Sequence, residues 1–242
     1  MLLSNEGVFY AVATKNVLSG SWQYYLFLIG CILGSVVVSY LLGSLSSAII
    51  VSKMLYKEDI RSHGSGNAGL TNILRTYGAK AAILTLVGDM LKTALAILFT
   101  AFLFGFSYNN GVSLSGFCYL SGLCAVLGHV YPVFYGFKGG KGVLVTATMA
   151  LILTPVNFAI LLLIFIAVVV ISRYVSLGSI IVAALYPITV CLYIILFCNG
   201  YIPVLTVFST VFLGVFVIWC HRSNIKRLIS GNEKKISIGK KD

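Results

Sequence analysis

The sequence predicts an all-α integral membrane protein: one bundle of seven transmembrane helices, N-terminus outside and C-terminus cytoplasmic. Three observations predict it. Aliphatic, aromatic and cysteine residues make up 59% of the 242 residues, and charged residues only 10%, against roughly 25% charged in a soluble domain. The apolar runs are far longer than barrel strands, and strand-like alternation is absent. The basic residues, 17 Lys and Arg against 6 Asp and Glu, gather in some inter-span loops and avoid others, as the excess on cytoplasmic loops requires.

Residues 1–22 form a polar N-terminal extension, and Asn5 and Glu6 without a basic stretch do not read as a cleavable signal. Residues 23–236 form a single transmembrane domain, and 237–242 a basic tail. Trp22, Tyr24 and Tyr25 read as an interfacial belt opening the first span. That apolar run extends over 24–52, longer than the ~20 residues a crossing needs, so the helix should tilt or continue past the bilayer. Lys53, Lys57, Arg61, Arg75 and Lys80 make the next loop cytoplasmic.

A second span covers 81–105 and contains Asp89 and Lys92, one turn apart on one face. Buried charges there cost roughly 2.5 to 3.5 kcal/mol each on insertion scales. Either they pair with each other or they hold the Arg75 loop. The uncharged stretch 106–114 reads as an outer loop, and a third span covers 115–135. The basic loop 136–142 is cytoplasmic again. Arg173 should lie on the same side, so 143–172 must cross twice, as two short or tilted helices split at Pro155, or enter as a re-entrant pair. A sixth span over 177–197, an outer turn over 198–202 and a seventh span over 203–220 complete the bundle.

The six cysteines form no CxxC pair and read as small buried apolar residues. The scattered basic residues do not suggest nucleic acid. Asp59, Asp89 and Asp242 lie too far apart for a metal site, and no cofactor is expected.

Three polar segments reach the cytoplasmic side. The first is Gly64-Ser65-Gly66-Asn67-Ala68-Gly69-Leu70-Thr71-Asn72-Ile73-Leu74-Arg75. A glycine turn feeding a helix N-terminus offers free N–H groups and a partial positive charge. Asn67, Thr71 and Arg75 would share one face if the helix reached back that far. A solvated loop is the plainer alternative. The second segment is Gly128-His129 to Pro132, then Phe137-Lys138-Gly139-Gly140-Lys141-Gly142. Its glycines and lysines suit phosphate, although the Walker A spacing is missing. The third runs from His221-Arg222-Ser223-Asn224 to Arg227 and on to Gly231-Asn232-Glu233. Each alone could be a topology signal or a helix cap. Together on one side they argue for a site.

These motifs, with Gly43-Ser44, resemble the bacterial membrane glycerol-3-phosphate acyltransferases that use acyl phosphate, the PlsY family. The resemblance covers residues 24–236. It departs from the family in the longer N-terminal extension and in Leu45-Ser46-Ser47. It implies transfer of an acyl chain from acyl phosphate to the 1-hydroxyl of glycerol 3-phosphate, giving lysophosphatidic acid and inorganic phosphate in phospholipid synthesis. It also implies a monomer in the bacterial plasma membrane, in contact with membrane lipid, with a cytoplasmic active site.

Carried over by position, Ser65, Arg75, Lys141, His221 and Asn224 would be catalytic. Gly64, Gly66, Asn67, Gly69, Thr71, Asn72, His129, Lys138, Gly139, Gly140, Ser176 and Glu233 would bind substrate. Which of Lys138 and Lys141 meets which phosphate stays open, and Glu233 is expected to pin the tail to Arg75 or a lysine. The HxxxxD pairing of thioester-dependent acyltransferases does not fit. The fifth residue after His63, His129 and His221 is Ala68, Phe134 and Lys226. A transporter for phosphorylated small molecules is the alternative from another class; it would place polar residues at mid-membrane in several spans.

Overall fold

The computed structural model describes residues 7–8, 21–105, 108–109, 112–113, 115–197 and 203–236. The bulk of the N-terminal extension, the turn at 198–202 that the sequence places outside, and the tail from 237 lie outside these residues. In chain order the helices are α1 Trp22–Gly43, α2 Ser47–Tyr56, α3 Leu70–Tyr77, α4 Ala79–Phe104, α5 Gly116–Val130, α6 Val143–Leu153, α7 Pro155–Ser172, α8 Val175–Phe197, α9 Val204–Cys220 and α10 Arg222–Ile229. The loop between α4 and α5 holds one antiparallel pair of two-residue strands, Tyr108–Asn109 and Val112–Ser113.

Five apolar stretches among the described residues are long enough to cross a bilayer: Trp22–Tyr56, Ala79–Phe104, Gly116–Tyr135, Pro155–Ser172 and Val175–Phe197. Helix α9 continues through a 55° bend into α10 and makes a sixth if the two are joined. The expected count of seven depends on α6. Its eleven residues reach only about 16 Å at 1.5 Å per residue, half the ~30 Å hydrocarbon core. The split in 143–172 falls where it was expected, with Thr154 between the helices and Pro155 opening α7. Proline suits the first helical turn, where its missing N–H costs nothing.

The long first apolar run does continue past one span, through a break at Ser44–Ser46. The Ser44 amide and hydroxyl both donate to the Tyr40 carbonyl, at 2.9 and 2.8 Å. Helices α1 and α5 cross in backbone contact. A methyl on Gly43 would sit 2.2 Å from the Ala125 carbonyl oxygen, and one on Gly128 2.2 Å from that of Tyr40. Hydroxyls finish the contact: Ser39 with Ser121 at 2.8 Å, and Ser121 to the Ala96 carbonyl of α4 at 2.9 Å. Small residues and short hydroxyl bonds are how helices associate where lipid is as apolar as leucine.

The main core packs Ile97, Tyr119, Val126, Val145, Met149 and Leu213 between α4, α5, α6 and α9. A second cluster, with Leu161, Tyr186, Val190 and Ile194, joins α6, α7 and α8. Inside α8, Pro187 has no amide hydrogen for the Ala183 carbonyl. Gly214 of α9 lies against that carbonyl, where a methyl would approach to 2.7 Å. The two clusters leave a space between α6, α7, α8 and α9, and the site opens into it.

Candidate active site

The first polar turn is folded around Asn72. Its side-chain amide donates to the carbonyls of His63 and Asn67, both at 3.0 Å, and its oxygen accepts the Ser65 amide at 2.9 Å. Gly64 and Gly66 sit at φ +61° and +71°, left-handed values that favour glycine. Helix α3 begins at Leu70 with Gly69 as its N-cap. Thr71 and Arg75 therefore share a helix, but Asn67 lies outside it, and the expected three-residue face is shortened to two. The amides of Leu70 and Thr71 have no carbonyl within the helix to serve. Arg75 makes no ion pair or hydrogen bond among the described residues.

The second turn is laid back on the end of α5. Gly139 and Gly140 donate their amides to the carbonyls of Val130 and His129, each at 3.1 Å. A methyl on Gly139 would come within 2.0 Å of the His129 carbonyl oxygen, and one on Gly140 within 2.1 Å of His129 Nε2. These glycines permit close packing of the loop. The next residue, Lys141, points inward and donates its ammonium to Asn224 Oδ1. Burial pushes the Lys141 ammonium below its ordinary pKa, helped by the nearby Arg227 charge and opposed by Glu233.

The third turn supplies His221, Asn224 and a strap. His221 joins α9 to α10, is 3% exposed, and places Nδ1 2.7 Å from the Val217 carbonyl. A carbonyl only accepts, so Nδ1 carries the proton and Nε2 of the neutral ring is bare. Glu233 accepts from Ser176 Oγ, Asn224 Nδ2 and Arg227 Nε, each at 2.7 Å. It pins the tail as expected, but to Arg227 rather than to Arg75 or a lysine. The Ile236 amide adds a bond to the Arg173 carbonyl at 2.8 Å. Burial raises the Glu233 carboxyl, but the bonds from Asn224, Ser176 and Arg227 outweigh it and hold the pKa below the ordinary value. The strap is therefore fully fastened above the ordinary carboxylate range. It releases only as pH falls through that lowered value. Glu233→Gln removes the charge from all three bonds. Limited proteolysis should cut the segment after Ile229 faster in that variant at neutral pH.

These three turns line one cavity of about 670 Å3. Its polar end collects Gly64, Ser65, Asn67, Gly69, Thr71, Asn72, Arg75, His129, Lys141, Ser176, His221, Asn224 and Glu233. Four of the expected residues are not brought there. Gly66, Lys138 and Gly139 border a second cavity of about 640 Å3 beside Asp59 and Arg61, and Gly140 packs on the His129 ring. Arg61 stitches the first two turns together from that side, donating to the carbonyls of Tyr135 at 2.7 Å and Lys138 at 3.2 Å.

The main cavity also has walls the motifs did not single out. Val143, Ala147, Leu151, Phe158, Leu161 and Phe165 form an apolar channel between α6 and α7. Arg227, part of the third motif but given no role by it, lines the polar end as well. Both carboxylates in the lining are already matched, Asp89 by Lys92 at 2.8 Å and Glu233 by Arg227 at 2.7 Å. Arg75 and Lys141 face no carboxylate of their own. The polar end thus has a surplus of positive charge, which suits a phosphorylated ligand.

Residues 33–231 match the protein-family profile described as Glycerol-3-phosphate acyltransferase. The chain belongs to the glycerol-3-phosphate acyltransferase family. A family member from Clostridioides difficile is 44% identical over 205 residues, covering 83% of this chain and 93% of that one. One from Finegoldia magna is 39% identical over 212 residues, covering 88% and 98%. Among solved structures, a crystal structure of PlsY, an integral membrane glycerol 3-phosphate acyltransferase, in its glycerol 3-phosphate form superposes with a TM-score of 0.71. It is 33% identical, covering 85% of this chain and 96% of that chain. Its lysophosphatidic acid form gives a TM-score of 0.69. The family's fold therefore extends over most of this chain, and the apolar channel and the polar turns as far as Gly231 lie inside the matched residues.

Proposed function

We propose that this chain transfers an acyl group from acyl phosphate to the 1-hydroxyl of sn-glycerol 3-phosphate, releasing 1-acylglycerol 3-phosphate and inorganic phosphate for phospholipid synthesis. The observation that carries this reading is the shape of the main cavity. A cationic end built by Arg75 and Lys141 continues into an apolar channel between α6 and α7. Two phosphates and one fatty chain need that combination. The solved relatives in glycerol 3-phosphate and lysophosphatidic acid forms support the acceptor and the product.

An acyl phosphate is an activated mixed anhydride, so no enzyme nucleophile is required. The acceptor hydroxyl attacks the acyl carbonyl carbon, the carbon–oxygen bond to phosphate breaks, and its electron pair leaves on phosphate. Lys141 and Arg75 stabilise the charge that gathers there. Ser65 and Asn224 orient the acceptor, and the free amides of Leu70 and Thr71 receive the phosphoryl oxygens. The substrate's own phosphate takes the hydroxyl proton, and His221 orients. On this reading His221→Gln lowers turnover but does not abolish it. Complete loss with unchanged glycerol 3-phosphate binding would reject the assignment.

The enzyme works as a monomer in the bacterial plasma membrane, with seven spans, N-terminus outside and the polar turns beneath the cytoplasmic leaflet. The basic loops at Lys53–Lys80, Lys138–Lys141 and Arg222–Lys235 support that orientation. The test is phosphate release by purified protein. Release should require acyl phosphate and glycerol 3-phosphate together and match acylated product one for one. Release without the acceptor, or movement of glycerol 3-phosphate across a vesicle without acylation, would overturn the reading.

A further inference from the structure

At the floor of the polar end lies a buried charged cluster, of which Asp89 and His129 line the cavity and Lys92 does not. Asp89 and Lys92 of α4 are 1% and 4% exposed and 2.8 Å apart. Lys92 also donates to the Leu45 carbonyl at 2.8 Å and meets His129 Nδ1 at 3.0 Å. The Leu45 carbonyl, the His129 ring and the Asp89 carboxylate thus surround its ammonium. An ammonium only donates, so His129 Nδ1 accepts and the ring proton sits on Nε2. The Ser47 hydroxyl, at the start of α2, packs against Gly88, where an added methyl would be 2.7 Å from it.

What this cluster holds is the edge of the His129 ring. That edge lies against Gly140, close enough that an added methyl would be 2.1 Å from Nε2 and 2.9 Å from the Ala68 carbonyl oxygen. Gly140 is thus the point where the first polar turn, through Ala68, and the second, through its own backbone, meet the ring. The next residue in the chain is Lys141. Two charges inside a span are expensive, and a helix pair could be joined there more cheaply by serines, as α1 and α5 are.

We propose that Asp89, Lys92 and His129 form a positioning unit that sets where Lys141 enters the cavity. Lys92 fixes the ring, the ring edge seats Gly140, and Gly140 sets the approach of the Lys141 ammonium to the leaving phosphate. Asp89 keeps Lys92 charged and in place. None of the three is a catalytic residue. The kinetic part of the test rests on the acyl-transfer reading above; the exchange part does not.

The experiment uses the full chain and two variants. The double variant Asp89→Asn with Lys92→Met removes the ion pair without leaving one buried charge alone. His129→Asn keeps an acceptor near the Nδ1 position for Lys92 but withdraws the ring edge from Gly140, and it decides the matter if the double variant does not fold. Each is expected to lower kcat about 10–100-fold, the scale of a displacement near 1 Å, with KM for glycerol 3-phosphate little changed. On a Lys141→Met background the same substitutions should cause no further loss, since they act through Lys141. Amide exchange in residues 136–142 should quicken in both variants. A folded His129→Asn protein with wild-type kcat and exchange overturns the proposal. So does an equal loss on the Lys141→Met background, the result expected of a merely structural role. Wild-type protein without acyl transfer but with quickened exchange in the variants would sink the function and leave the positioning unit standing.

Discussion

Lys141→Met is expected to lower kcat about 10²–10³-fold, the usual cost of removing one preorganised charge from a reacting centre. The reason is geometric. Lys141 is held from two directions, by the Gly139–Gly140 backbone packed on α5 and by Asn224 Oδ1 on α10. A charge fixed before substrate arrives pays no reorganisation at the moment the acyl–phosphate bond breaks. Methionine keeps most of the side chain's volume, so the loop should stay seated and the fold intact. The measurement is steady-state phosphate release at saturating substrates. Turnover within a few-fold of wild type would mean that Lys141 only ties α10 to the loop.

Arg75→Ala is expected to act differently. Arg75 sits on the exposed side of α3 at the cavity mouth and makes no ion pair or hydrogen bond among the described residues. Losing it disturbs little of the protein. It should raise KM for the phosphorylated substrates about 10–100-fold, the cost of a charged hydrogen-bond pair, with a smaller fall in kcat. Arg75→Lys should recover part of the affinity but not all, because an ammonium lacks the planar fork. Initial rates over a range of both substrates would check it. A fall in kcat with KM unchanged would move Arg75 from binding to the chemical step.

Much of this architecture could be read from the residues. Apolar runs placed the spans, and Pro155 marked the break in 143–172. The clustering of glycine and basic residues beside span ends located the three turns that line the cavity. Other features were not legible, for physical reasons. A glycine that lets a loop touch a helix and a glycine that lets a loop touch a phosphate look alike in sequence, so Gly66, Gly139 and Gly140 were read as cradle. Gly139 and Gly140 instead relieve contacts with His129.

Asn72 was read as a binder, but its side chain closes the turn by three bonds to the backbone around it. Such a bond depends on loop shape, which spacing does not encode. The bond from Ser176 to Glu233 was hidden because the two lie 57 residues apart in sequence. The pairing of Asp89 with Lys92 could be anticipated from one-turn spacing. Their contact with His129, 37 residues beyond Lys92, could not. The span count stayed uncertain at α6 because hydropathy alone does not say where a helix stops.

The central claim is that one cavity beneath the three turns receives the phosphates. A crystal structure of this protein grown with glycerol 3-phosphate tests it most directly. The account predicts phosphate density within hydrogen-bonding distance of Arg75 or Lys141, in the cavity those residues share with His221 and Asn224. Density beside Arg61 and Lys138 in the second cavity, with the first left to solvent, would contradict it.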